Sequence, residues 1–408
     1  MAKKMLFLFV LLLSLTGMLK AQVTTAGMSG KVMADEESVI GATVVAVHEP
    51  SGTSYGTVTN VDGRFSLQGM RSGGPYKVTV SYIGYQTAIY TGIQLQLGET
   101  YSLNVTLHEA SELLGEITIT ASKSKFSAEK TGATTNISSE QLTTLPSINR
   151  SISDFTRISP YASGNSFGGR DGRSNTFTVD GANLNNNFGL SSGLPGGGNP
   201  ISLDAIDEVQ VVIAPYDVRQ ANFIGAGINA ITKSGTNAYR GSAYMYFNNE
   251  VMRGNKIGDT DFGVRAEESK TVYGATFGGP IIKDKLFFFA NVEYEKSPQQ
   301  VITWRAAKEG ETPNNSTISR TTEADLAEFS QILKDKYRYN TGSFTDFPAD
   351  VTNLKLLGRI DWNINQGNKL SVRYNFTNNK TWEAPNGSSG NTGYRFAYNR
   401  VSAYSMSY

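Results

Sequence analysis

The stretch Leu286-Phe287-Phe288-Phe289-Ala290-Asn291-Val292-Glu293-Tyr294-Glu295 decides the fold. In an extended chain, Leu286, Phe288, Ala290, Val292 and Tyr294 share one face while Asn291, Glu293 and Glu295 share the other. The same alternation sets Leu354, Leu356, Ile360, Trp362 and Ile364 against Lys355, Arg359, Asp361 and Asn363, and Leu370, Val372, Tyr374 and Phe376 against Ser371, Arg373, Asn375 and Thr377. Candidate strands run over Arg240 to Asn248, Lys270 to Gly278, Lys285 to Lys296, Asn353 to Ile364, Lys369 to Thr381 and from Tyr394 onward. Each is long enough for the ~9–11 residues of a membrane-spanning strand. The connections Gly279 to Asp284 and Asn365 to Asn368 are short, whereas those after the first, third and fifth strands are long, up to the stretch Ser297 to Thr352. Short turns alternating with long loops mark an outer-membrane barrel; a soluble jelly roll needs no such asymmetry. Within the longest loop, Leu326, Phe329 and Leu333 recur at helical spacing, which predicts a helix over Thr322 to Tyr337.

Composition agrees with a strand-rich exported chain. Of 408 residues, 39% are hydrophobic and 18% charged, and Gly is frequent at 42. Lys+Arg (37) and Asp+Glu (36) balance to +1, so no field of one sign points to nucleic acid. Cysteine is absent, which excludes disulfides, thiolate metal sites and cysteine nucleophiles, and two histidines, His48 and His108, leave little material for histidine catalysis. Both are expected at the surface, at strand ends. Lys3 and Lys4 before the apolar run Met5 to Met18, followed by Lys20-Ala21-Gln22, read as a signal peptide cleaved after Ala21.

Upstream of the barrel-type pattern the chain changes character twice. From Ser29 to Glu109, seven short strands (Gly30 to Met33, Ala42 to Val47, Ser54 to Thr59, Arg64 to Leu67, Tyr76 to Tyr82, Gln86 to Tyr90 and Tyr101 to Leu107) suggest a sandwich, with Asp62-Gly63 at a hairpin turn rather than a calcium site. From Glu112 to Gly235 the reading is a loop-rich core: a capping box at Ser138 to Leu142 opening a short helix, a second helix in Ile148 to Ile158, a strand over Ile206 to Ile213, and apolar beads Phe177, Val179, Phe188 and Phe223.

Motifs of chemistry are weak. Two GxSxG matches, Gly164 to Gly168 and Gly189 to Gly193, have no downstream histidine, and Gly225 to Ala230 matches GxGxxA without a following helix. His48-Glu49 and His108-Glu109 lack the second histidine of a zinc helix. No metal, cofactor or catalytic role is read. Between sandwich and loop-rich core, Glu116-Ile117-Thr118-Ile119-Thr120 is β-prone. Two readings stand: a last sandwich strand, or an extended peptide that adds to a partner's sheet edge.

In this order the segments resemble the N-terminal part of a TonB-dependent outer-membrane receptor of the Oar-like type common in Bacteroidetes. Gly41 to Val44 and the GTVTNVDGRFSL run resemble a carboxypeptidase-regulatory-like sandwich of carbohydrate-binding-like fold, and Glu116 to Thr120 a TonB box. Gly168 to Gly181, Ile206 to Val211, Ala214 to Arg219 and Gly225 to Asn237 resemble plug motifs, which places Arg170, Asp180, Gly181, Glu208, Arg219, Gly225 and Gly227 in them. Residues 274–295 resemble a first barrel hairpin.

The resemblance implies a mainly β chain: signal peptide 1–21, sandwich 22–110, TonB-box linker 111–122, α/β plug 123–235, and the first strands of a transmembrane antiparallel β-barrel over 236–408. About six strands against the ~22 of such transporters imply a fragment, unable to form a pore by itself. It further implies no enzyme. The function implied is uptake of a peptide, glycan or siderophore across the outer membrane, driven by TonB with ExbB and ExbD, with sandwich and plug on the periplasmic side and lipid around the barrel. Arg170 and Arg219 are expected to face barrel carboxylates such as Glu293 or Glu295, or else to be solvated. The competing class is a secreted or surface-attached carbohydrate-binding or adhesion protein.

Overall fold

The computed structural model describes residues 23–34, 36–109, 117–120, 133–147, 150–185, 199–215, 220–221, 223–261, 268–298, 305–313, 318–342, 350–365, 367–383, 398–401 and 405–407. The expected signal peptide, Glu116, Phe188, Arg219 and the Gly189 to Gly193 match lie outside them.

The sandwich forms from β1 (Ala26–Ala34), β2 (Thr43–His48), β3 (Thr53–Val58), β4 (Arg64–Met70), β5 (Gly73–Ser81) and β6 (Ala88–Leu95). One sheet centres on β1, which pairs antiparallel with β4 and parallel with the short runs Thr100–Ser102 and Val105–Leu107. The other has the order β7-β6-β5-β2-β3, where β7 (Ile117–Thr120) comes from beyond the sandwich. Alternation drives the closure: Met28 and Val32, Val44 and Ala46, and Tyr76, Val78 and Val80 are fully buried between the sheets. At the Asp62-Gly63 turn, Gly63 takes φ +69° and the Asn60 side chain accepts from the amides of Asp62 (3.0 Å) and Arg64 (2.8 Å). His48 departs from expectation. It is buried because the strand end packs on Tyr76, ring centroids 5.0 Å apart, and its Nδ1 lies 2.7 Å from the Ser51 hydroxyl. Burial, aided by the nearby Arg71 charge, lowers its pKa to about 3.

The segment expected to be a plug, called the plug below, contains β8 (Ala133–Ser138), α1 (Ser139–Thr144), α2 (Ile152–Thr156), β9 (Thr176–Val179), β10 (Ile206–Ala214) and β11 (Gly227–Thr232). Its sheet order is β8-β10-β11-β9, with β9 and β11 parallel. The capping box at Ser138 and Gln141 opens α1 as read. The second helix is shorter than expected, because Arg150 takes φ +51° and Ser151 caps the turn that follows.

The last sheet holds β12 (Arg240–Asn249), β13 (Ser269–Ile282), β14 (Leu286–Pro298), β15 (Asp350–Asn363), β16 (Lys369–Glu383) and β17 (Tyr398–Val401), all antiparallel and hydrogen-bonded in that order. Helix α3 (Glu323–Tyr337) sits in the long connection between β14 and β15. The sheet inverts the rule of soluble proteins. Val292, Tyr294, Ile360, Trp362, Leu370, Val372 and Tyr374 are exposed, while Asn291, Glu293, Lys355, Arg359, Asp361, Asn375 and Thr377 are buried. A polar face covered by protein and an apolar face left open suit lipid outside and a filled interior. Filling comes from the plug, whose apolar core takes in Phe289 of β14 and Leu357 of β15. Among the described residues the sheet is open, and no helix is long and apolar enough to cross a membrane.

Candidate functional site

The three parts meet at one end of the sheet, that of the short turns. Pro50 of the sandwich accepts from the Asn237 amide (2.8 Å), the Asn363 side chain donates to Thr53 (2.9 Å), and the Lys369 ammonium stands 3.2 Å from the Tyr55 ring centroid. Arg71, just after β4, reaches Asp361 of β15 at 3.1 Å.

Asp361 leads into the plug. Arg359, two residues earlier and therefore on the same face of β15, donates to Asp361 (2.8 Å) and to the Thr232 carbonyl at the end of β11 (2.5 Å). Thr232 in turn donates to Asp180 through both its amide (3.0 Å) and its hydroxyl (2.6 Å). Arg373 of β16 donates to the Asp180 carbonyl (3.3 Å) and lies 3.5 Å from its carboxylate. Asp180 is buried in the turn after β9 at φ +49°, a conformation Asp tolerates, and Gly181 follows at φ +86°. Buried carboxylates beside the buried Arg359 and the partly buried Arg71 and Arg373 follow the rule that interior charge is paired.

A second clasp lies further along β14. Glu293 accepts from Lys355 of β15, Tyr244 of β12 and the plug's Ser202, each at 2.8 Å. Glu293 and Lys355 are register partners, so the pair is a cross-strand contact. Nearby, Thr377 donates to the plug's Pro200 carbonyl at 2.6 Å.

The third contact joins plug to sandwich. Both carboxylate oxygens of Glu208, on β10, lie 3.1 Å from the Leu97 amide, which follows β6 in the sandwich. The Gln210 side chain donates to the Leu97 carbonyl, so one residue is gripped at both its backbone groups. Burial raises the Glu208 pKa to about 8; the charges of Asp207 and Glu99 push the same way, and the Leu97 and Ser72 hydrogen bonds oppose them.

The residues read from sequence divide clearly. Asp180 and Glu208 sit at the domain contacts. Gly225 and Gly227 are sites of close approach: a side chain at Gly225 would run into Asn175, and a Cβ at Gly227 would meet the Phe223 ring at 2.8 Å. Of the two expectations for Arg170, a barrel carboxylate or solvent, the position fits the second. It is exposed in a turn, where its carbonyl accepts from Ser166, and among the described residues no carboxylate lies within ion-pair distance of it. Glu293 is held instead by Lys355; the plug charge that meets barrel guanidiniums is Asp180, and the plug arginine that meets the barrel is Arg150, stacked 3.7 Å over the Tyr246 ring of β12. That hydrogen bond also occupies the hydroxyl of the first GxSxG match. Ile117–Thr120 pairs with the sandwich, parallel to β6.

Residues 27–108 match the family of the carboxypeptidase regulatory-like domain, and residues 231–407 match that of the outer membrane beta barrel domain. The TonB-dependent transporter Oar of Myxococcus xanthus is 25% identical over 344 residues, which are 79% of this chain and 30% of that protein. The chain thus carries a carboxypeptidase regulatory-like domain and an outer membrane beta barrel domain, and is similar to a TonB-dependent transporter. Its place is the outer membrane. It spans about a third of the length of the relatives it matches. Similar solved structures include the siderophore receptor PirA from Acinetobacter baumannii (19% identity, TM-score 0.39, 62% of this chain and 32% of that one). The ferric enterobactin receptor PfeA from Pseudomonas aeruginosa is another (15%, TM-score 0.43, 65% and 36%).

Proposed function

We propose that the chain is part of a transporter that takes up a ligand across the outer membrane, with Glu116 to Thr120 as the segment that TonB pulls. One observation carries the reading: the plug is lodged against the polar face of a membrane-type sheet, sharing a core with Phe289 and Leu357 and bound by the Asp180 and Glu293 clasps. A pore filled by a separately folded domain is closed at rest, so passage requires that the filling move. Clasps made of hydrogen bonds and ion pairs can be broken and remade, whereas a continuous strand cannot. No bond of the ligand is made or broken in this reading.

The test uses the full-length receptor in cells lacking their own copy, offered labelled oligopeptides, oligosaccharides and ferric siderophores. Ile117→Pro removes a backbone donor and bends the strand. Surface capture of one class should persist while its uptake is abolished. Uptake equal to that of the unmodified receptor would overturn the reading.

A further inference from the structure

We propose that the sandwich is a resting dock for Ile117–Thr120, and that this segment must leave β6 before a pull on it can reach the plug. The proposal rests on the reading of that segment given above.

The segment lies at the edge of the sheet, in register Ile117 to Ala88, Thr118 to Ile89, Ile119 to Tyr90 and Thr120 to Thr91. Without it, β6 would itself be the sheet edge, with a row of open backbone groups that invites pairing. The dock is anchored to the barrel. Arg71 on Asp361, Thr53 under Asn363, Pro50 under Asn237 and Tyr55 under Lys369 fasten the sandwich to the barrel base. While the segment is docked, tension on it therefore runs through β6 and the sandwich into the barrel wall, which does not move. Only after release does the load pass along the chain to Ala133, where the plug's edge strand begins. Four paired residues in a parallel ladder, the slightly weaker of the two pairings, make a dock that a longer partner strand can outcompete.

The 408 residues contain no cysteine, so with any cysteine elsewhere in the receptor replaced by serine, engineered pairs report cleanly. Thr91→Cys with Thr120→Cys in the full-length receptor places two thiols at a register pair; Ser66→Cys with Thr120→Cys is the control, Ser66 being exposed on the opposite sheet. Single-cysteine variants control for folding. Under mild oxidation the dock pair should form a disulfide and the control pair should not. The purified periplasmic domain of TonB should bind the oxidised dock variant at least tenfold more weakly than the unmodified receptor, with binding restored by dithiothreitol. Crosslinking no greater than in the control, or equal binding by the oxidised and reduced forms, would overturn the dock. If the TonB domain binds neither form nor the unmodified receptor, the TonB reading fails, and the disulfide still decides the dock.

Discussion

The Leu97 amide donates to both carboxylate oxygens of Glu208, so the sandwich is tied to a central plug strand by a bond whose acceptor titrates. Burial outweighs that hydrogen bond, and the acid holds its proton up to about pH 8 when docked. Undocked and solvated, it would lose it near its ordinary value of 4.5. The docked state thus binds the extra proton between those values. Its stabilisation is complete below the lower value and is lost as pH rises through the upper one, at roughly 1.4 kcal/mol per pH unit at most. Protease release of the sandwich from the full-length receptor should therefore be slower at pH 5.5 than at pH 8. Glu208→Gln should flatten the profile.

Asp180 is expected to be worth more as a partner than as a charge. Asp180→Ala takes the carboxylate from Arg373, leaves Arg359 paired with Asp361 alone, and strips the buried Thr232 amide and hydroxyl of their acceptor, at about 1–3 kcal/mol for each buried donor left unpaired. Asp180→Asn keeps acceptors for Thr232 and should cost less. Plug protection from protease in the assembled receptor measures both, and a double-mutant cycle with Arg359→Met should show strong coupling.

Phe289 reaches into the plug core although it belongs to the barrel sheet. Phe289→Ala should cost about 3–5 kcal/mol and should raise permeability to a bulky antibiotic, because the loss falls on the joint. Val292→Ala, on the open face of the same strand, should leave permeability unchanged.

The barrel-type strands were legible because two environments impose opposite demands on alternate residues, as at Glu293 and Val292. Their ends were less so. Strand β13 continues through Gly279 and Pro280, where the alternation lapses, to Ile282. The burial of His48 was hidden because a strand end carries no signal of what packs upon it. The clasps were missed for a different reason: Arg359 and Asp180 are far apart in sequence, and on the polar face of a strand a paired charge reads like a solvated one. The opposite charges at the cross-strand positions Glu293 and Lys355 were the one available cue.

The sandwich has a core of its own, built from Met28, Val44, Tyr76 and their neighbours. Residues 22–120, which keep Ile117–Thr120 over the β6 edge, should therefore fold as a soluble monomer. Cooperative thermal unfolding with a near-ultraviolet signal from buried Tyr76 checks this; a molten chain would contradict it.

In the orientation proposed here, the sheet crosses the outer membrane with its short turns and the sandwich facing the periplasm and its long connections outside. Lys308 stands exposed in a long connection and Asn368 in a short turn. Lys308→Cys and Asn368→Cys, introduced singly into the full-length receptor, can be probed on intact cells with a membrane-impermeant maleimide. Labelling is expected at position 308, and none at 368 until the outer membrane is opened. Labelling at 368 on intact cells, or at neither position before opening, would contradict this orientation.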